Sequence, residues 1–235
     1  MTLALLLVGC GGEDDDAADL TVAAASSVQE AIRACAPGVR ASFAGSDELA
    51  AQVRQGLPVD VFVAANTALP EALAAGGLLD EPVVVATTAL VVAVPADSGV
   101  RALTDLARPG VDVAVGAEGV PVGEYTREVL ARLPAAQERA ILANVRSEEP
   151  DVKGVVGKLT QGAVDAGVVY ATDVEAARGR LRAVAIDEEL EPDVAYGAGV
   201  VAASERRGQA EDFVEDLTTG ACAGALRARG FGPPP

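Results

Sequence analysis

Residues 161–173, QGAVDAGVVYATD, decide how the rest of the chain is read. They run from a helix end through a tight glycine turn into a short apolar strand, residues 166–169, and deliver Tyr170 where that strand stops. In an open α/β sheet, ligands sit outside the carboxyl ends of the strands, so a tyrosine there can aim its hydroxyl into a cleft. The plain alternative is a tyrosine half-buried at a strand end with its hydroxyl in water.

Upstream, the same alternation recurs. Residues 20–25 (LTVAAA) read as a buried strand, Ser26 and Ser27 as hydroxyls at its end, and residues 28–34 (VQEAIRA) as a helix that Ser27 can N-cap. Strand, hydroxyl, helix is the βα unit of a parallel sheet. Residues 39–44 repeat it, ending in Gly45-Ser46 before a helix over 47–55. Either serine alone is a plain N-cap. Two of them in successive βα turns point into one crevice, beside two positive helix ends. A third strand covers 59–64 and a third helix 69–75; residues 83–94 form a β-branched run longer than an ordinary strand, fit to cross between two lobes.

A second series follows: a short helix at 103–107, strand 111–116, helix 123–133, a strand or helix end at 140–145, helix 152–160, strand 166–169, helix 174–179 and strand 181–186. The chain returns through a small-residue strand over 195–203 into one last helix over 209–228. One crossing out and one back predict two α/β lobes, residues 20–92 with 196–235 and residues 93–195.

Composition excludes several functions. The 235 residues contain no histidine, which removes Ser-His-Asp and Cys-His catalysis and every histidine-containing zinc site. No carboxylate pair stands in a recognisable motif, and neither Lys153 nor Lys158 lies beside a candidate serine. No enzyme activity, catalytic residue or cofactor is expected. With no tryptophan and 3% aromatic residues, a site that stacks sugars or bases has little to build with. A formal charge of -17 repels polyanions, so no nucleic-acid partner is expected.

Residues 1–10 read as a processing signal. An apolar run at 3–8, too short to span a bilayer, ends at Gly9-Cys10, and residues 11–19 (GGEDDDAAD) form an acidic tether. The pattern resembles a bacterial lipobox, in which Cys10 carries lipid and anchors the protein to the outside of the membrane, in the cell envelope. No Lys or Arg precedes the run, which points to a start upstream of Met1. Lipidation leaves Cys35 and Cys222, either one bridge in an oxidising compartment or two buried thiols.

The segments AAASS (23–27), FAGSDELAAQVRQGLPVDVFVAAN (43–66), VPVGEYTREVL (120–130), SEEPDVKGVVGKLTQGAVDAGVVYATDV (147–174) and RARGF (227–231) together resemble the molybdate-binding proteins of bacterial ABC importers. The resemblance implies a type II periplasmic-binding-protein fold, with two α/β lobes joined by two crossover strands and closing on a tetrahedral oxyanion. It places Ser27 and Ser46 on the serine positions, Val122 and Val152 on backbone-donor positions at helix starts, and Tyr170 on the tyrosine position. The oxyanion is held by these residues, with no direct cation ligands. Val122 stands where many members carry alanine, which a backbone donor tolerates. The implied partners are molybdate or tungstate and a membrane-embedded permease with its ATPase, for a monomeric binding protein. In this fold class the terminal helix packs on the first lobe, which implies a Cys35–Cys222 disulfide.

The residues agree with such a ligand. Molybdate is a dianion with four acceptor oxygens and no proton to give, so its site wants donors only: hydroxyls, amide N–H groups and helix N-termini. A site for another oxyanion such as sulfate or phosphate, or for a metal-chelating anion, shares this architecture. An envelope enzyme on the same scaffold is the more distant alternative.

Overall fold

The computed structural model describes residues 20–235. The expected signal with Cys10 and the acidic tether lie outside the described residues.

The first half builds β1 (Thr21–Ala25), α1 (Gln29–Cys35), β2 (Arg40–Ala44), α2 (Ser46–Arg54), β3 (Val61–Ala64), α3 (Ala68–Ala75) and β4 (Val83–Thr88). Then come β5 (Leu90–Pro95), β6 (Val113–Gly116), α4 (Pro121–Ala131), α5 (Ala135–Ala143), β7 (Val145–Glu149), α6 (Val152–Thr160), β8 (Ala166–Tyr170), α7 (Ala171–Ala176) and β9 (Leu181–Ala185). The chain ends in β10 (Val194–Val200), α8 (Arg207–Thr219) and α9 (Ala221–Arg227). Two five-stranded sheets result, ordered β2-β1-β3-β10-β4 and β7-β6-β8-β5-β9. In the first, β1 runs parallel to β2 and β3, and β10 antiparallel to β3 and β4. In the second, β6 runs parallel to β7 and β8, and β5 antiparallel to β8 and β9.

Both faces of the first sheet are covered, which is why its strands are apolar without interruption. Side chains alternate across a strand: Val22, Ala24, Val61 and Val63 join a core with Ile32 of α1, whereas Ala23, Phe62 and Ala64 pack on Leu49, Val53 and Leu73 of α2 and α3. Asp60 ties together the starts of β1 and β3 at the end of this sheet away from the strand C-termini. Its carboxylate accepts from the Thr21 amide at 2.8 Å, the Thr21 hydroxyl at 2.6 Å and the Ser204 hydroxyl at 2.8 Å, with Arg206 at 3.7 Å. Burial alone would raise its pKa, but these donors and the guanidinium together lower it.

The apolar run at 83–94 is two strands, one in each sheet, broken at Ala89. Leu90, Val91 and Val92 therefore pair in the second sheet with β8, and Val194 and Ala195 pair in the first with β4, so both crossings fall a few residues from the expected boundaries. The break carries neither Gly nor Pro, and only the hydrogen-bond register reveals it. The expected single last helix is two: at Gly220 the Asp216 carboxylate accepts the amides of Ala221 at 2.6 Å and Cys222 at 3.0 Å, capping a fresh N-terminus. Residues 140–145 hold the end of α5 and the start of β7, whose sequence VRSEE is too polar to read as a strand because it lies at the edge of its sheet.

Cys35 and Cys222 form a disulfide between the last residue of α1 and the first turn of α9, with Cα atoms 5.0 Å apart across 187 positions of sequence. Closing so long a loop restricts the unfolded chain, by up to about 4–5 kcal/mol in the chain-entropy model. Reduction should therefore lower the midpoint of thermal unfolding while the fold persists. Mass-shift labelling of unfolded, non-reduced protein should find neither thiol free; two labelled thiols would contradict the bridge.

Candidate anion-binding site

Where the strands of the two sheets stop, they face each other across a tight cavity of about 10 Å³. From the first lobe come the turn after β1 and the start of α2; from the second come the starts of α4 and α6 and the end of β8. Ser27, Ser46, Val122, Val152 and Tyr170 all line this one cavity, and each is less than a tenth exposed. No Lys or Arg is among the lining residues. A larger hollow of about 470 Å³ lies at the opposite end of the first sheet, by the starts of β1 and β3, but its buried carboxylate, Asp60, is already engaged by the donors described above.

The serines are not helix caps. Ser27 lies in a single 3-10 turn, residues Ser26–Val28, and makes no capping bond. Its Oγ accepts instead from the Tyr196 hydroxyl at 2.9 Å. Ser46 is the first residue of α2 and its Oγ accepts the Ala65 amide at 3.1 Å. A hydroxyl carries one donor and two acceptor lone pairs, so a bond accepted from behind leaves each proton free to be given to a ligand.

The second lobe supplies amides. In α4 the first intrahelical bond runs from the Glu124 amide to Val120 O, so the amides of Val122 and Gly123 precede it. This helix sits close on β6: a Cβ at Gly123 would lie 2.1 Å from Ala117 O and 2.5 Å from Gly116 O, and only glycine admits that approach. In α6 the Asp151 cap takes the Gly154 amide at 2.8 Å and leaves the Val152 amide outside its bond.

Tyr170 is 1% exposed, and among the described residues its hydroxyl has no hydrogen-bond partner. A half-exposed tyrosine bonded to water is therefore ruled out at this position. Burial first, then the neighbouring Tyr196, Tyr125 and Asp173, push its pKa well above that of an ordinary phenol, so it stays a donor. Its ring meets Tyr196 edge-on at 5.8 Å, and Tyr196 meets Phe231 at 5.3 Å. Sequence reasoning missed Tyr196. The available signal was scarcity, since the chain has three tyrosines and two of them meet here.

Lys153 and Asp173 pair at 3.0 Å, joining the first turn of α6 to the first turn of α7 and so fixing Val152 relative to Tyr170. Burial raises the Asp173 pKa, and the charge and hydrogen bond of Lys153 offset this only in part. A raised folded pKa means that the folded state holds the proton more tightly than the unfolded one. The group's favourable contribution is then fully present below the unfolded pKa and is lost as pH rises through the folded value. Denaturant midpoints measured from about pH 4 to 7 should fall more for the wild type than for Asp173→Asn. The opposite slope would mean that the ion pair outweighs burial.

Comparison with known proteins identifies the family. Residues 20–232 match the family of bacterial extracellular solute-binding proteins. The chain is 33% identical to the molybdate-binding protein ModA of Mycobacterium tuberculosis, over 97% of this chain and 93% of that protein. It resembles the structure of the substrate binding domain of a putative molybdenum ABC transporter from Clostridium difficile, at 28% identity and a TM-score of 0.67, covering 92% of this chain and 98% of that one. The periplasmic molybdate-binding protein of Azotobacter vinelandii shares the fold, with a TM-score of 0.80 at 20% identity over 92% of this chain and all of that one. The architecture is the type II periplasmic-binding-protein fold, and the chain belongs to the bacterial extracellular solute-binding proteins.

Proposed function

We propose that this protein captures molybdate outside the cytoplasmic membrane, accepts tungstate as well, and passes its ligand to an ABC permease with its ATPase. The observation that carries the reading is the unpartnered Tyr170 hydroxyl, buried in a cavity lined by serine hydroxyls and helix starts, where the one acidic residue, Asp151, turns its carboxylate to the Gly154 amide as the cap of α6. Ser27, Ser46, Val122, Val152 and Tyr170 are the proposed ligands. The names of the relatives above support molybdate in particular.

Such a site suits an oxyanion that offers acceptors only. Buried donors without a formal cation hold a dianion through partial charges, and the N-termini of α2, α4 and α6 add their dipoles. The net charge of -17 opposes capture at long range, but that field is mostly screened beyond about 10 Å in 0.1 M salt. Tungstate is nearly isosteric with molybdate and is accepted. Sulfate has the same charge and shape on a smaller radius, so it is the oxyanion this site has to reject. In the proposed arrangement two lobes, residues 20–89 with 194–235 and residues 90–193, close on the ligand, and Cys10 anchors the monomer by lipid.

Ser27→Ala and Ser46→Ala each remove one charge-assisted donor, so molybdate affinity should fall about ten- to hundredfold in each while the variants stay folded. Titration calorimetry with molybdate, tungstate, sulfate and phosphate checks this. Wild-type affinity in both variants would refute the site, and tighter binding of sulfate or phosphate than of molybdate would refute the ligand.

A further inference from the structure

We propose that Gly45 sets how closely the two lobes approach and thereby the smallest anion the site can grip; this rests on the oxyanion reading above. Gly45 has φ -60° and ψ 136°, a conformation open to any residue. The backbone therefore does not demand glycine there. The other lobe does. A Cβ on Gly45 would stand 2.4 Å from the Pro150 carbonyl oxygen and 2.8 Å from Asp47 Oδ1. The Asp47 side chain can turn aside, but the Pro150 carbonyl is backbone, held between β7 and α6.

Among the described glycines, this is the one whose nearest neighbour is backbone of the opposite lobe. Gly116 and Gly123 press together within the second lobe, where the contact serves the fold. On the other rim a Cβ at Gly230 would meet the Glu175 carboxylate at 2.4 Å, the movable end of a flexible side chain. Gly45–Pro150 is thus a rigid stop between the lobes.

Its position gives it a consequence for binding. Gly45 immediately precedes Ser46, and Pro150 stands two residues before Val152, so the stop lies between donor positions on opposite lobes. With hydrogen at Gly45, backbone meets backbone and the lobes cannot tighten further around a smaller tetrahedral anion. Its oxygens would then lie beyond hydrogen-bond reach of one lobe. With a methyl group there, the contact has to lengthen from 2.4 Å to at least 3.0 Å, and the donors of the two lobes separate even for the anion that fits.

The test compares wild type, Gly45→Ala, Asp47→Ala and the double variant by titration calorimetry and small-angle scattering with molybdate, tungstate, sulfate and phosphate. Thermal unfolding without anion monitors the fold. Alanine at position 45 should leave anion-free unfolding within a few degrees of its parent, weaken binding about ten- to hundredfold in both backgrounds, and reduce compaction. Equal affinity of the double variant and Asp47→Ala would assign the loss to α2 alone and overturn the inference, as would a Gly45→Ala protein that does not fold. Wild type that compacts with sulfate or phosphate and not with molybdate would sink the functional reading, and Gly45 would then be judged on that anion. Compaction with none of the four would sink both.

Discussion

In the proposed reading, the rest of the structure serves one constraint: hydrogen-bond donors from two separate sheets must reach one small space without a balancing cation. A single helix N-terminus or a single serine holds an oxyanion weakly. Several uncharged donors do better because burial removes the competing water and strengthens each partial charge. That requirement explains the architecture. Each sheet must turn the ends of its strands toward the other, since the amides of the following helices are directed there. It also explains the two short crossings at 89 and 186–193, which keep the lobes face to face.

The donors are held from behind. Tyr196 lies on β10 of one lobe, gives its hydroxyl proton to Ser27 and packs its ring against Tyr170 of the other. One side chain thereby orients a donor and supports a second across the seam. The Ala65 amide does the same for Ser46, and the Lys153–Asp173 pair links the start of α6 to the residues after β8. Small residues make the close geometry possible: Ala23, Ala24 and Ala25 let helices lie near β1, and Gly123 brings the first turn of α4 onto the end of β6. In a chain with so few aromatic residues, packing is achieved by proximity, and three of the aromatic rings, Tyr170, Tyr196 and Phe231, gather at the seam.

Much of this was legible in the residues. The apolar runs, the hydroxyls at strand ends and the glycine turns marked the βα units, and residues 152–160 were read as a helix with the bounds it has. The five proposed ligand residues came from a resemblance, with Ser27, Ser46 and Tyr170 also standing out by their place at strand ends. What could not be read has physical causes. Helix α5 and edge strand β7 are too polar and exposed for periodicity to show, and the break at Gly220 depends on Asp216 folding back onto the next turn. Both serines looked like caps because a hydroxyl before a helix is usually one. Their true partners, Tyr196 and the Ala65 amide, lie 169 and 19 positions away.

The sequence by itself determined the alternation of strands and helices, the exclusion of histidine chemistry and the residue types at each strand end, because these follow from local pattern and composition. Tertiary structure alone decided which strand joined which sheet, which atom each hydroxyl faces, and that Gly45 answers to Pro150 and not to its own backbone. The reason is that hydrogen-bond partners and steric limits are set between segments far apart in the chain, and no local pattern records the distance between them.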